Sequence, residues 1–314
     1  REKLKFKKLL KDHKEFTKNF YDTDNLTDRQ REELMKTLSL ALHHEVSQIV
    51  KSTNFKVFDK ESYEVNTNEV VYNTVDSFRY MLAILGLYDI TSKDFMSAYE
   101  EKDLYLKKIQ NLKDHKKGQP VAIIDIDDII CNFREYFNEW LYKTLGIVID
   151  KNSTSYYSSK EVKDFGYSPE GVFEDFIQTN ELLNIPSITS TIDVINYLHD
   201  EGYYIQLLTS RPESNLKCKY QTYKWLDNNG VLFDNLSFAY EKYIWVAKQK
   251  YYLSGDVKFA IDDSPKHSME YATHDLKILM PDLPYNRKAR HDNIITFKRE
   301  NMLKEVKKIV NNKV

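Results

Sequence analysis

Glycine, proline and cysteine are all scarce in this chain. Eight glycines in 314 residues leave few sites where the backbone turns freely, so each one carries information about where the chain bends. Only Cys131 and Cys218 occur, too few for a disulfide framework, which points to a reducing, cytoplasmic setting. No apolar run approaches the roughly eighteen residues that a bilayer-spanning helix needs. Residues 1–16 are dense in charge and hold no apolar signal-peptide core. Excess charge of one sign is missing too. With 46 Lys and Arg against 48 Asp and Glu, the net charge of -2 argues against a strongly basic nucleic-acid binder, though not against a local patch. What is present is apolar bulk: 41% hydrophobic and 13% aromatic residues exclude a disordered chain, and the length suits two domains.

The two halves differ in texture. Before Pro120 there is no proline, and Gly86 is the sole glycine before Gly118. Apolar stripes at Leu34, Leu38, Leu40 and Leu42, and at Val70, Val71, Val75, Phe78, Met81 and Leu82, predict an all-α bundle. The polar stretch 111–120, closed by Gly118 and Pro120, sets a boundary between domains 1–118 and 119–314. Beyond it, strands at 121–126, 203–208, 236–240, 257–261, 276–279 and 294–297 alternate with helices at 133–145, 192–199, 216–229, 243–253 and 300–310. This alternation predicts an α/β fold with a parallel sheet covered on both faces, which binds ligands at the carboxyl ends of its strands.

Four features fall at those ends. Val121–Ile124 runs into Asp125 and Asp127, and a strand's period of two aims both carboxylates to one side. A second apolar run ends in Thr209 and Ser210, hydroxyls suited to phosphate oxygens. Lys242 opens a helix beyond the third strand, with Lys248 and Lys250 as rivals deeper in that helix. The fourth run ends in Asp262 and Asp263, adjacent acids that repel unless a cation offsets them, and all-oxygen ligands favour Mg²⁺.

This ordered set resembles the haloacid dehalogenase superfamily of phosphatases over roughly 120–300. The resemblance implies a Rossmann-like sheet with a small helical cap at about 132–186. It makes Asp125 the nucleophile and Asp127 the acid/base, with phosphate held by Thr209 or Ser210 and by Lys242. Mg²⁺ would lie on Asp125, Asp262, Asp263 and the backbone carbonyl of Asp127. Asp128 departs from the family, which commonly has glycine there. Asp125 to Phe133, Thr209-Ser-Arg-Pro212 and Pro284-Tyr-Asn-Arg287 further resemble the 5′-deoxyribonucleotidases. In those enzymes an aromatic matching Phe133 stacks on the base; a core role for Phe133 is the equal alternative. The run from Glu241 to Asp263 also resembles the 3′-phosphatase domain of polynucleotide kinases. The implied activity is Mg²⁺-dependent hydrolysis of (deoxy)nucleoside monophosphates, with a 3′-phosphatase on nucleic-acid ends as the rival enzyme. A third reading is a non-catalytic nucleotide-binding regulator.

In the helical half, Glu45-x-x-Gln48 and Asn73-x-x-Asp76 place paired side chains on helix faces. With Asn54-Phe55-Lys56 and 99–102 they resemble the all-α dimeric dUTPase and MazG-type pyrophosphohydrolases over about 25–115. Gln48 and Asn73 stand where that family has acids, which removes two charged metal ligands. The expectation is weak or lost hydrolase activity, leaving a homodimerisation module or nucleotide sensor.

Overall fold

The computed structural model describes residues 5–53, 65–150, 153–154 and 158–311, and the chain divides into two compact units, Arg1–Glu100 and Glu101–Val314. Among the described residues no helix is long and apolar enough to cross a membrane.

The first unit is helical: α1 (Phe6–Lys18), α2 (Asp28–Lys51), α3 (Thr67–Leu87) and the start of α4 (Ser92–Gln110). Thr27 begins α2 with a reciprocal cap, its side chain accepting from the Gln30 N–H while Gln30 reaches back to the Thr27 backbone. Leu34 and Leu38 of α2 pack against Ala83 and Leu87 of α3 to make a small core. Leu40 does not join it and stands 74% exposed, because two residues past Leu38 a helix has turned about 200°. Val71, Val75 and Met81 are likewise exposed, and only Leu82 of that stripe is fully buried.

The division between units falls inside α4, earlier than the 118/119 boundary that composition suggests. The reason lies in the polar stretch itself, which is fastened to the second unit. The Lys113 N–H donates to the Asp234 carbonyl, Gly118 N donates to Asp256, and Tyr204 Oη donates to the Lys113 carbonyl.

The second unit holds six parallel strands: β1 (Val121–Ile124), β2 (Tyr204–Thr209), β3 (Asn235–Phe238), β4 (Val257–Ile261), β5 (Ile278–Pro281) and β6 (Ile294–Phe297). Their order is β3-β2-β1-β4-β5-β6. Both faces of β1 are buried: Ala122 and Ile124 enter one core with α8 (Thr189–Asp200), α9 (Leu216–Asn228) and α13 (Met302–Asn311). Val121 and Ile123 enter another with α10 (Lys242–Ala247), α11 (Lys250–Leu253) and α12 (Pro265–Thr273). That two-sided burial is why β1 reads as an unbroken apolar run.

Between β1 and α8 the chain makes a small helical insertion of α5 (Phe133–Leu145), α6 (Ser159–Asp164), α7 (Pro169–Gln178) and a 3₁₀ turn at Glu181–Leu183. It leaves and returns at one place, where the Asn132 N–H donates to the Pro186 carbonyl and Cys131 bridges to Ser187. The insertion packs on an aromatic cluster, with Phe133, Phe137 and Trp140 of α5 around Phe176 of α7.

Candidate active site

The strand order reverses between β1 and β4, and at such a switch point the loops that follow the two strands diverge and leave a crevice. Asp125 lies just past β1 and Asp262-Asp263 just past β4, so the crevice is lined by acids. The Asp125 N–H donates to the Ile261 carbonyl, extending the ladder to the point where the carboxylates emerge. Asp125, Asp262 and Asp263 are all buried, with carboxylate oxygens within 4.8 Å of one another. Among the described residues this is the only such acidic, His or Cys group able to hold a metal.

Lys242, 1% exposed at the start of α10, answers part of that charge. Its Nζ lies 2.8 Å from Asp125 Oδ1 and 2.8 Å from Asp262 Oδ2. Burial alone would lower the ammonium's pKa, but the two carboxylates outweigh it and hold the group above the usual lysine range. Lys248 and Lys250 are exposed, so of the three candidate lysines only Lys242 meets the acids. One cation among three carboxylates leaves an excess. Burial, reinforced by Asp262 and Asp127 and opposed by Lys242, pushes Asp125 up to about 6. Burial with Asp128 and Asp125 nearby drives Asp263 well above the carboxylate range. Asp263 Oδ1 is buried with no hydrogen-bond partner, although Asp263 Oδ2 accepts from Tyr285 Oη. An orphaned oxygen inside an under-neutralised cluster of hard ligands fits a divalent cation such as Mg²⁺.

Asp127 follows the same strand but its side chain faces elsewhere. Arg211 grips it with Nε 3.0 Å from Oδ2 and Nη2 2.6 Å from Oδ1, and Arg211 Nη1 donates to Thr222 at 3.0 Å. The Asp127 side chain is therefore outside the three-acid group and locked in one orientation. Thr209, fully buried, accepts from the Arg211 backbone N–H. Ser210 Oγ lies 3.2 Å from His267 Nε2, whose pKa is lowered by burial and by nearby Lys242.

Asp128 adopts φ +56°, the left-handed region that glycine would occupy at no cost. In exchange its carboxylate accepts from the Arg134 backbone N–H at 3.0 Å and from Tyr285 Oη at 3.2 Å. Burial, against those donors and Arg299, raises it to about 6.

Phe133 corrects the base-stacking expectation. It is 2% exposed, stacked on Phe137 and edge-on to Phe173 and Phe176, so it is a core residue of the insertion. Both cysteines are fully buried as well. Burial raises the thiol of Cys131 and pushes that of Cys218 up to about 11, which makes neither a ready nucleophile.

Three residues of the site carry no assigned role in the sequence reading: Arg211 and Tyr285 stand inside motifs quoted for a resemblance, and His267 lies outside every motif. The helix carrying His267 had a legible start, since Ser264 caps it and Pro265 takes its first turn.

In the helical unit, Glu45 and Asp76 line one cavity of about 300 Å³ together with His13 and Arg79. Gln48 and Asn73 do not join them: Gln48 Nε2 meets His44 Nε2 at 3.0 Å, and Asn73 Nδ2 donates to Ser52 Oγ at 3.1 Å. Asn54-Phe55-Lys56 lie outside the described residues.

No known family's sequence pattern matches the chain, and no curated protein matches it. Among solved structures it is similar to the magnesium-bound protein YfnB of Bacillus subtilis, at 14% identity and TM-score 0.43 over 62% of this chain and 99% of that one. A HAD family hydrolase of Deinococcus radiodurans with bound phosphate and sodium aligns at 8% identity and TM-score 0.42, over 62% of this chain and 97% of that one. A HAD phosphatase of Thermococcus onnurineus aligns at 18% identity and TM-score 0.37, over 61% of this chain and 98% of that one.

Proposed function

We propose that the protein is a divalent-cation-dependent phosphatase of haloacid dehalogenase type that hydrolyses (deoxy)nucleoside monophosphates. The observation that carries the reading is the meeting of Asp125, Lys242, Asp262 and Asp263 at the sheet's switch point. In this reading an Asp125 oxygen attacks phosphorus, so a P–O bond to Asp125 forms as the ester P–O bond breaks. The departing alkoxide takes its proton from Asp127, which must first leave the Arg211 clamp that holds it as a carboxylate and take up a proton from solvent. Asp127 then takes a proton from water, which releases inorganic phosphate and regenerates the Asp125 carboxylate. Lys242 would balance phosphate charge, and Thr209 and Ser210 at the end of β2 would bring hydroxyls to the neighbouring strand end. Asp125, Asp262 and Asp263 would hold Mg²⁺, which screens the nucleophile from the dianion it attacks. The test is phosphate release from a panel of nucleoside and deoxynucleoside monophosphates, with Mg²⁺ and with chelator. Release that is unaffected by chelator overturns the cation requirement.

The raised carboxylates give the cation a pH signature. A carboxyl whose folded pKa is raised stabilises the fold fully below its unfolded value and loses that contribution as pH rises through about 6. A cation needs the deprotonated oxygens. Saturating Mg²⁺ should therefore raise the melting temperature more at about pH 7.5 than at about pH 5, by up to about 2–3 kcal/mol of linkage. Thermal unfolding at both pH values checks this, and an equal or larger shift at the lower pH contradicts it.

For the helical unit we infer a pyrophosphohydrolase of weak or lost activity, because its two amides are turned to Ser52 and His44 and, among the described residues, Glu45 and Asp76 are the acids that face the cavity. Purified protein should convert dUTP to dUMP no faster than a blank with Mg²⁺. Ordinary enzymatic turnover would refute the inference.

A further inference from the structure

A cleft of about 730 Å³ opens beside the acid cluster, within the size range of small-molecule sites. Tyr285 and Asp128 line it, and the same Tyr285 hydroxyl reaches Asp263, so one side chain links the cleft to the proposed cation ligands. We propose that this cleft receives the uncharged organic group of a phosphate monoester, a nucleoside, and that it disfavours nucleic-acid ends. The proposal deepens the phosphatase reading and rests on it.

The first argument is charge. The cleft presents the carboxylates of Asp128, Glu135 and Glu139 against the guanidiniums of Arg134 and Arg299. A strand end brings further phosphates, each of which would ask for a cation. Among the described residues of the lining the acids outnumber the guanidiniums, and Arg299 already donates to the Asp128 carbonyl and to Asn132 Oδ1, at 2.9 and 3.2 Å.

The second argument is the two-faced character of α5. Phe133, Phe137 and Trp140 turn into the core, whereas Arg134, Asn138 and Tyr142, four residues apart in sequence, share the face on the cleft. Such a row, on a helix that packs its other side, presents selective contacts from a rigid support. Asn138 Oδ1 accepts from Ser158 Oγ at 2.7 Å, which fixes the amide and leaves Nδ2 to donate. The Arg134 guanidinium lies 4.6 Å over the Tyr285 ring, and its Nη1 is a buried donor without a partner, as is Arg299 Nε. The surface thus offers the Asn138 amide beside the aromatic area of Tyr142. Ring carbonyls and sugar hydroxyls are the complementary acceptors. With Phe133 confined to the core and Tyr285 buried under the Arg134 guanidinium, Tyr142 is the aromatic contact of the cleft open to a heterocycle among the described residues.

The test is calorimetric binding of deoxynucleoside monophosphates, inorganic phosphate and a 3′-phosphorylated oligonucleotide to the full chain carrying Asp125→Asn, which prevents turnover. Tyr142→Ala and Asn138→Ala, each added to it, should weaken mononucleotide binding about tenfold and leave inorganic phosphate binding as it was. The proposal is overturned by any of three results: no mononucleotide binding, unchanged affinity in both variants, or an oligonucleotide that binds more tightly than the mononucleotide. The phosphatase reading fails separately, by phosphate release that survives Asp125→Asn.

Discussion

Asp125→Asn should lower phosphate release by roughly 10³-fold or more while the fold persists, as expected when a nucleophile is removed and binding is left intact. Asparagine keeps the shape and one oxygen, so the backbone link from Asp125 N to Ile261 and the packing of β1 are untouched. On the phosphatase reading, what disappears is the negative oxygen that would attack phosphorus. Lys242 retains Asp262 at 2.8 Å and is not stranded without a counter-ion. Removing one of three crowded carboxylates also relieves repulsion, so the cation-free variant should melt at or above the parent temperature. Initial rates and melting curves for both proteins check the two halves together. A variant with more than about a tenth of the parent rate would rule out attack by Asp125.

Arg211→Met should cost about 3–5 kcal/mol of stability, the usual consequence of stripping one partner from a buried ion pair. The pair is sealed from water: the Arg211 side chain is 1% exposed, and the Asp127 side chain 10%. Burial alone would lower the guanidinium's pKa, but Asp127 outweighs it and holds Arg211 above its usual value. Without it, Asp127 faces Cys131 Sγ at 3.3 Å as its remaining side-chain partner among these residues. Arg211→Lys should not recover the loss, because an ammonium cannot make two parallel bonds and also reach Thr222. Adding Asp127→Leu to Arg211→Met should restore part of the stability while leaving the protein inactive, which separates the folding role of the pair from the proposed acid/base role. Urea midpoints for the four proteins decide this. A loss below about 1 kcal/mol for Arg211→Met would show that the pair contributes little.

The acid positions were legible because strand ends advertise themselves. Val121–Ile124 is apolar on both faces and Val257–Ile261 is apolar from Phe259 on, so the charged residues that follow them fall at the sheet edge. Lys242 was legible for the same reason, as the opening residue of a helix after a strand. The partners of these groups were not. Arg211 meets Asp127 across 84 positions, and Tyr285 meets Asp128 across 157, distances over which local periodicity says nothing. Phe133 illustrates the opposite limit: its type and place suit a ligand contact and a core contact equally, and only the neighbouring rings of Phe137, Phe173 and Phe176 decide between them. The helix predicted at 243–253 proved to be α10 and α11, with the extended Gln249 between them, a break that no glycine or proline marks. The polar stretch 111–120 looked like a tether because polarity is what tethers and surface anchors have in common; the bonds to Asp234 and Asp256 make it an anchor.

The helical insertion departs at Asn132 and rejoins at Pro186, where the Asn132 N–H donates to the Pro186 carbonyl at 2.8 Å and the Ile188 N–H to the Ile130 carbonyl at 2.7 Å, so to the sheet it is a closed loop with fixed ends. Closure entropy grows only slowly with the length of chain between such ends. An inherited change in the length of chain between them therefore costs the strand order little. Descendants of this scaffold that keep the inward Phe133, Phe137 and Trp140 are free to exchange the outward face of the insertion while inheriting the sheet and its acid cluster whole.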